Sequence, residues 1–266
     1  FHLKRRRGDS ARRPRRPIDR ASTSRSMPRV VAVVNPNSSQ VVTDALARTL
    51  EPLAPAGTTL RFLTAPPDAP PSINDPPTSV LSAAACFRML VPGGQLADGP
   101  LAQVAGVVVC CFSDHPLVPM LRHVAPALPV VHILEAAVLH ALALGNRVGI
   151  LTTGAAMVPD LDAGVRRILG GASPRYAGCI ATGLGVVELQ TGDRAKVDAT
   201  VRHAAAQGAR QGMDVIVLGC AGMTGMEGLV QQGVREAGRT TRVPVVDGSK
   251  AGVHLVGGIA ACHYWG

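Results

Sequence analysis

The chain has 266 residues, 47% of them hydrophobic and only 3% aromatic, with a mean hydropathy of +0.22. That is apolar material for one large domain or two small ones, carried mostly by Ala, Val, Leu and Ile, and no uninterrupted apolar run reaches the ~18 residues of a membrane span. The net charge of +9 belongs to residues 1–29, which hold 11 of the 27 Lys/Arg and 2 of the 18 Asp/Glu, so the remainder is balanced and offers no basic face for nucleic acid.

Residues 1–28 are rich in Arg, Ser and Pro and cannot build a core, so a disordered basic extension is expected. A solvated extension ahead of a start at Met27 is the leading reading; a mitochondrial transit peptide, a nuclear-localisation signal and an RNA-binding arm compete with it. No secretory signal pattern is present, and a cytoplasmic protein is expected. Order begins at Val30, where Val30–Val34 reads as a buried strand running into the turn Asn35-Pro36-Asn37-Ser38-Ser39 and a helix over 41–53. Such a junction either caps the helix or offers backbone N–H groups to an anion or carbonyl. A strand at 59–63, a Pro-rich loop at 66–77, a helix at 79–90, a strand at 101–111, a helix at 117–124 and a strand at 129–133 follow. The order then repeats: a strand from Arg147 ending in Thr152-Thr153-Gly154, a helix at 158–169, a strand at 176–181, a helix at 195–211, a strand at 215–219, a helix at 225–237 and a strand at 243–247. The final helix is expected to be short.

The two series align. Arg29-Val30 matches Arg147-Val148, Cys111 matches Cys220, and Pro129-Val130-Val131 matches Pro244-Val245-Val246, at offsets of 118, 109 and 115. Duplication of a whole β/α half follows, too long for a solenoid repeat. The fold class is α/β: two pseudo-symmetric Rossmann-like halves, each a four-stranded parallel sheet with flanking helices, with a cleft between them. Residues 29–132 and 248–266 form the first half, and 133–247 the second.

Six cysteines, at 86, 110, 111, 179, 220 and 262, show no CxxC pair and no zinc spacing, so free thiols in a reducing compartment and no metal are expected. Cys86, Cys110, Cys179 and Cys262 read as small buried hydrophobes, Cys110 pointing away from Cys111 across its strand. Cys111 and Cys220 differ. Each ends a run of β-branched residues at the carboxyl end of a strand, where ligands bind in open α/β sheets. Each stands just before an expected helix start, where the dipole lowers a thiol pKa. Two thiols on opposite faces of one carbon are the catalytic pair a racemase needs: one removes the α-proton and the other returns a proton. They should lie roughly 7–10 Å apart, since each must come within about 3–3.5 Å of the same carbon. Backbone N–H groups nearby can hold the enolate oxygen.

Several motifs stand in order along this frame: Asn35-Pro36-Asn37-Ser38, Cys111-Phe112-Ser113-Asp114-His115-Pro116, Glu135-Ala136-Ala137, Gly185-Val186-Val187-Glu188-Leu189, Leu218-Gly219-Cys220-Ala221-Gly222-Met223 and Pro244-Val245-Val246-Asp247-Gly248. With both cysteines present, the chain resembles the aspartate/glutamate/hydantoin racemase superfamily, and within it the hydantoin (allantoin) racemase branch with its fungal members. The resemblance implies cofactor-independent 1,1-proton transfer with Cys111 and Cys220 as acid and base. It also implies that the Asn-Pro-Asn-Ser turn and the residues after each cysteine line the pocket. Asn37, Ser38, Phe112, Ser113, Asp114, Ala221 and Gly222 are therefore candidate substrate-binding residues, and Thr152 and Thr153 join them. Many bacterial relatives have Gly or Thr-Gly at His115-Pro116, which leaves the substrate open. His115 is a third titrating group at the pocket edge or, as the commoner case, a helix-start or surface residue. A small-molecule substrate and a homo-oligomer are expected, with no cofactor, nucleic acid or membrane partner. The alternatives are an amino-acid racemase, decarboxylase or cis–trans isomerase of the same superfamily, or a non-catalytic binding module with two lobes around a cleft.

Overall fold

A computed structural model describes residues 28–262 and residue 264. The basic extension therefore lies, apart from Pro28, outside the described residues. Two parallel four-stranded sheets organise the chain. The first holds β1 (Arg29–Asn35), β2 (Thr58–Thr64), β3 (Gly106–Val109) and β4 (Val130–His132) in the order β2-β1-β3-β4. The second holds β5 (Val148–Thr152), β6 (Tyr176–Ala181), β7 (Val215–Gly219) and β8 (Val245–Asp247) in the order β6-β5-β7-β8. The same order in both sheets is the fold of a duplicated half.

Strand alternation decides which core each residue joins. Val31 and Val33 of β1 and Val215 and Val217 of β7 face a shared central core. Their neighbours Ala32 and Val34, and Ile216 and Leu218, face two separate outer cores. The central core is filled by α4 (Ile133–Leu144) and α9 (Gly248–Ala261), which pack on each other. Each crosses over: α4 leaves β4 and packs on β7 and β5, while α9 leaves β8 and packs on β3 and β1. Beside them lie α1 (Gln40–Leu50) and α5 (Val158–Leu169), whose buried residues Val42, Leu46, Leu50, Leu161 and Val165 join the central core, while α2 (Pro76–Leu90), α3 (Leu117–Val124), the short α6 (Glu188–Thr191), α7 (Arg194–Arg210) and α8 (Glu227–Glu236) cover the outer faces. Among the described residues, no helix is long and apolar enough to cross a membrane.

Several elements depart from expectation for local reasons. The helix expected over 41–53 ends as α-helix at Leu50 and finishes in a 3-10 turn, because Pro52 has no N–H to continue the ladder. Residues 101–105 make turns instead of strand, with Gln103 in the left-handed region at φ 61°, so β3 begins only at Gly106. Helix α2 starts earlier than expected: Asp75 caps the Thr78 amide at 2.8 Å, and Pro76 and Pro77 suit the first turn. The final helix, α9, is not short but 14 residues long.

Candidate active site

Both selected cysteines stand where a strand ends. Cys111 lies two residues past β3 and Cys220 one past β7. Their side chains line one cavity of about 40 Å3 between the two sheets. Asn37, Phe112, Thr152, Thr153 and Ala221 line it with them.

The residue two positions after each cysteine touches its sulfur. Ser113 Oγ lies 3.2 Å from Cys111 Sγ, and the Gly222 N–H donates to Cys220 Sγ at 3.3 Å. These are equivalent positions in the duplicated halves, one supplying a hydroxyl and the other an amide. Burial nevertheless dominates the titration of both thiols. Cys111 is pushed up to about 12, with Ser113 opposing and a charge on Cys220 adding to the rise. Cys220 is pushed up to about 11, with the amides of Gly222 and Met223 opposing. The expected lowering by a helix dipole does not occur. After Cys111 the first helical residue of α3 is Leu117, and after Cys220 there is one 3-10 turn before α8 begins at Glu227. A dipole acts only over its own first turn.

Asn37 is held in the cavity wall by Asn35, which is fully buried behind it. Asn35 Nδ2 donates to Asn37 Oδ1 at 3.1 Å, to the Ser39 carbonyl and to Thr43 Oγ1. Asn37 Oδ1 also accepts from the Ser39 amide at 3.0 Å. With its oxygen held by two donors, Asn37 keeps its own amide N–H groups for the cavity, where no described protein atom takes them. The Thr153 hydroxyl on the opposite wall is likewise without a protein partner among the described residues, whereas Thr152 donates to the Gly219 carbonyl at 3.3 Å. The cavity thus holds three thiols, Cys110 among them, and two uncommitted hydrogen-bonding groups, and none of its lining side chains is a carboxylate, imidazole, ammonium or guanidinium.

Four sequence candidates are not in this lining. Ser38 spends its hydroxyl on the Ala69 carbonyl at 2.9 Å and its amide on Pro70, pinning the Pro-rich loop. Asp114 is ion-paired with Arg167 of α5 and faces His132 Nε2 at 3.5 Å. Ser113 and Gly222 act on the sulfurs from behind. Six lining residues escaped the sequence reading: Val42, Ile73, Cys110, Met157, Val186 and Gly219. Ile73 is the large aliphatic residue in an otherwise Pro-rich and polar loop, a signal that could have found it. Cys110 was expected to face away, but the cavity opens on the central-core side of β3, which is the side its chain takes. Cys179 is half-buried beside Tyr176, and Cys262 is exposed, so neither fits the buried-hydrophobe reading. His115 is fully buried, not at the surface. Its Nδ1 accepts from the Leu117 amide at 3.3 Å, and its Nε2 faces Ser82 Oγ at 3.4 Å. Burial pulls it down to about 4, so it is neutral.

A fold of two matched α/β halves with a thiol from each in one cleft defines a class of two-lobed, thiol-bearing enzymes. Residues 31–256 match the Asp/Glu/hydantoin racemase family. The chain is 36% identical to an uncharacterised Schizosaccharomyces pombe protein over 85% of its own length and 90% of the relative's. It is 29% identical to the hydantoin racemase of Rhizobium meliloti, covering 88% of this chain and 90% of that one. The allantoin racemase of Klebsiella pneumoniae superposes with a TM-score of 0.73 at 25% identity, over 88% of each chain. The chain belongs to the Asp/Glu/hydantoin racemase family and is an isomerase of the racemase type.

Proposed function

We propose that this enzyme inverts the C5 stereocentre of a 5-substituted hydantoin, allantoin among them, by cofactor-independent proton transfer between Cys111 and Cys220. The observation that carries the reading is the pair itself: thiols at equivalent strand ends of the two halves, lining one cavity. A charge on either sulfur opposes ionisation of the other, so ionisation of the pair stops at one thiolate beside one thiol. That is the form the reaction needs. The thiolate takes the C5 proton; the electron pair of the broken C–H bond moves into the ring and leaves negative charge on the adjacent carbonyl oxygen. The Asn37 amide and the Thr153 hydroxyl are the uncommitted donors for that oxygen. The second thiol then protonates the opposite face, and the two sulfurs exchange roles. A high thiol pKa makes the thiolate a strong base toward a carbon acid, which desolvation in this cavity supports.

The uncharged lining favours a hydantoin over aspartate or glutamate. An amino acid brings an ammonium and at least one carboxylate, and burying those without partners is costly. A neutral cyclic diamide needs only donors and acceptors. The test uses enantiopure substrate in deuterated solvent. Cys111→Ser and Cys220→Ser should each lose racemisation by about 10²–10⁴-fold. Each should retain C5 exchange for one enantiomer only, with opposite preferences. If both variants keep full activity, or both prefer the same enantiomer, the two-thiol mechanism is wrong.

A further inference from the structure

The imidazole of His115 takes no part in the proton transfer proposed above, yet it is fully buried in the loop that follows Cys111. Buried polar groups persist where their hydrogen bonds are complete, and here the direction of each bond is fixed. The Leu117 amide donates to Nδ1 at 3.3 Å, so the neutral ring carries its proton on Nε2. Nε2 lies 3.4 Å from Ser82 Oγ of α2 and donates to it. Ser82, itself fully buried, spends its own proton on the Pro36 carbonyl at 2.5 Å. Cys86, one turn further along α2, aims its thiol at the same carbonyl from 3.6 Å.

This bridge ends on the peptide that carries Asn37. The Pro36 carbonyl and the Asn37 N–H are the two ends of one planar amide. Ser82 and Cys86 hold its oxygen, and Asn35 Oδ1 accepts from its N–H at 3.3 Å. A plane gripped at both ends fixes the direction in which Asn37 leaves the backbone to line the thiol cavity. His115 thus joins two walls of that cavity, the loop after Cys111 and the turn after β1, by way of α2. The second half is built differently: Thr224, which follows Cys220 as His115 follows Cys111, gives its hydroxyl to Asp247 and Ser249.

We infer that His115 and Ser82 are positioning residues: through the Pro36 carbonyl they hold the Asn37 amide against the substrate oxygen that gains charge as a cysteine removes the proton. This rests on the donor role proposed for Asn37 and deepens it. The test is a double-mutant cycle on enantiopure 5-isobutylhydantoin and on allantoin, with Ser82→Ala as the smallest break in the bridge and thermal midpoints measured alongside. Asn37→Ala should lower kcat about 100-fold, the worth of one donor to a developing oxyanion. Ser82→Ala should lower it about tenfold with KM little changed, the mark of an interaction realised in the transition state. The two losses should not add: in the Asn37→Ala background, Ser82→Ala should cost less than about twofold. Exchange of the C5 proton in deuterated solvent should slow equally for both enantiomers, because the same oxygen serves both directions, whereas a slackened Cys111 loop would slow one. His115→Gln, which sets an amide N–H where the Nε2–H stood, should recover part of the loss shown by His115→Leu. Additive losses, exchange slowed for one enantiomer only, or a folded Ser82→Ala enzyme at wild-type kcat overturns the positioning role and leaves the hydantoin reading intact. Asn37→Ala at full activity brings down the donor role and this inference together, while the two thiols stand or fall by their own variants. Wild-type enzyme inactive on both compounds brings down the hydantoin reading as well.

Discussion

At the scale of single residues, the site works through burial opposed by a few directed hydrogen bonds. Cys111 and Cys220 were legible because each terminates a β-branched run at a matched position, a pattern that ordinary core cysteines lack. Their titration was not legible. Proximity to a helix in sequence suggested a lowered pKa, whereas intervening loop residues distance the dipole and desolvation wins. A rate prediction follows from the sign. On the proposed two-thiol mechanism the base is a thiolate; burial pushes the more ionisable sulfur up to about 11, and His115 and His132 are pulled down to about 4. From pH 6 to 9 the thiolate fraction therefore rises about tenfold per unit, and kcat/KM for the free enzyme rises with it. Initial-rate polarimetry across this range should show a slope near one with no plateau. A plateau beginning near pH 7 would mean that a group of ordinary pKa is the base.

At the scale of elements, amphipathic helices were readable and the buried connector was not. Helices α3 and α5 fall on the expected residues, their buried positions Leu117, Val118 and Leu121, and Leu161, Gly164 and Val165, recurring at helical spacing. Helix α4 passed unnoticed because Ile133-Leu134-Glu135-Ala136-Ala137-Val138-Leu139 is apolar on nearly every side and carries no such period. Its place in the central core explains that composition. Close helix packing elsewhere depends on a glycine. A Cβ on Gly233 of α8 would stand 2.1 Å from the Arg202 carbonyl oxygen and 2.9 Å from Ala205 Cβ, both on α7. Neither is a flexible chain end, so Gly233→Ala has to push the two helices apart. The expected loss is about 1–3 kcal/mol, the range for overpacking a filled interface. Urea unfolding read by circular dichroism measures it; a midpoint equal to wild type would show that α7 and α8 part freely.

At the scale of the whole molecule, duplication is the feature the chain displays most openly, because offsets of 109 to 118 recur at both cysteines and both flanking strands. What duplication leaves unspecified is where the halves have diverged. Asp247 caps α9, accepting from the Ser249 and Lys250 amides, and also grips Thr224 and Gly225 in the loop after Cys220. The equivalent place in the first half holds His132, which caps α4 through the Glu135 amide at 3.0 Å and faces Asp114 in the loop after Cys111. One half thus uses a carboxylate and the other an imidazole to tie a crossover helix to a cysteine loop. This exchange makes stability depend on pH. Burial lowers His132 and His115 from an ordinary value of about 6.5 to about 4. The unfolded chain takes up these two protons near pH 6.5 and the folded chain only near pH 4. Their contribution is complete above pH 6.5 and is lost as pH falls from there toward 4, worth about 3 kcal/mol for each group over the full interval. Asp247 works in the opposite sense, since burial raises its pKa and favours the protonated carboxyl in the fold. Unfolding free energy from urea titrations should therefore drop between pH 7 and pH 5, with net proton uptake on unfolding, to which His140, also lowered by burial, adds in the same sense. His132→Asn keeps a side-chain acceptor at the head of α4 and removes one titrating group, so the pH dependence should become measurably shallower. A stability that is flat between pH 7 and pH 5, or a variant that titrates as wild type does, would show that these histidines are already protonated in the folded protein.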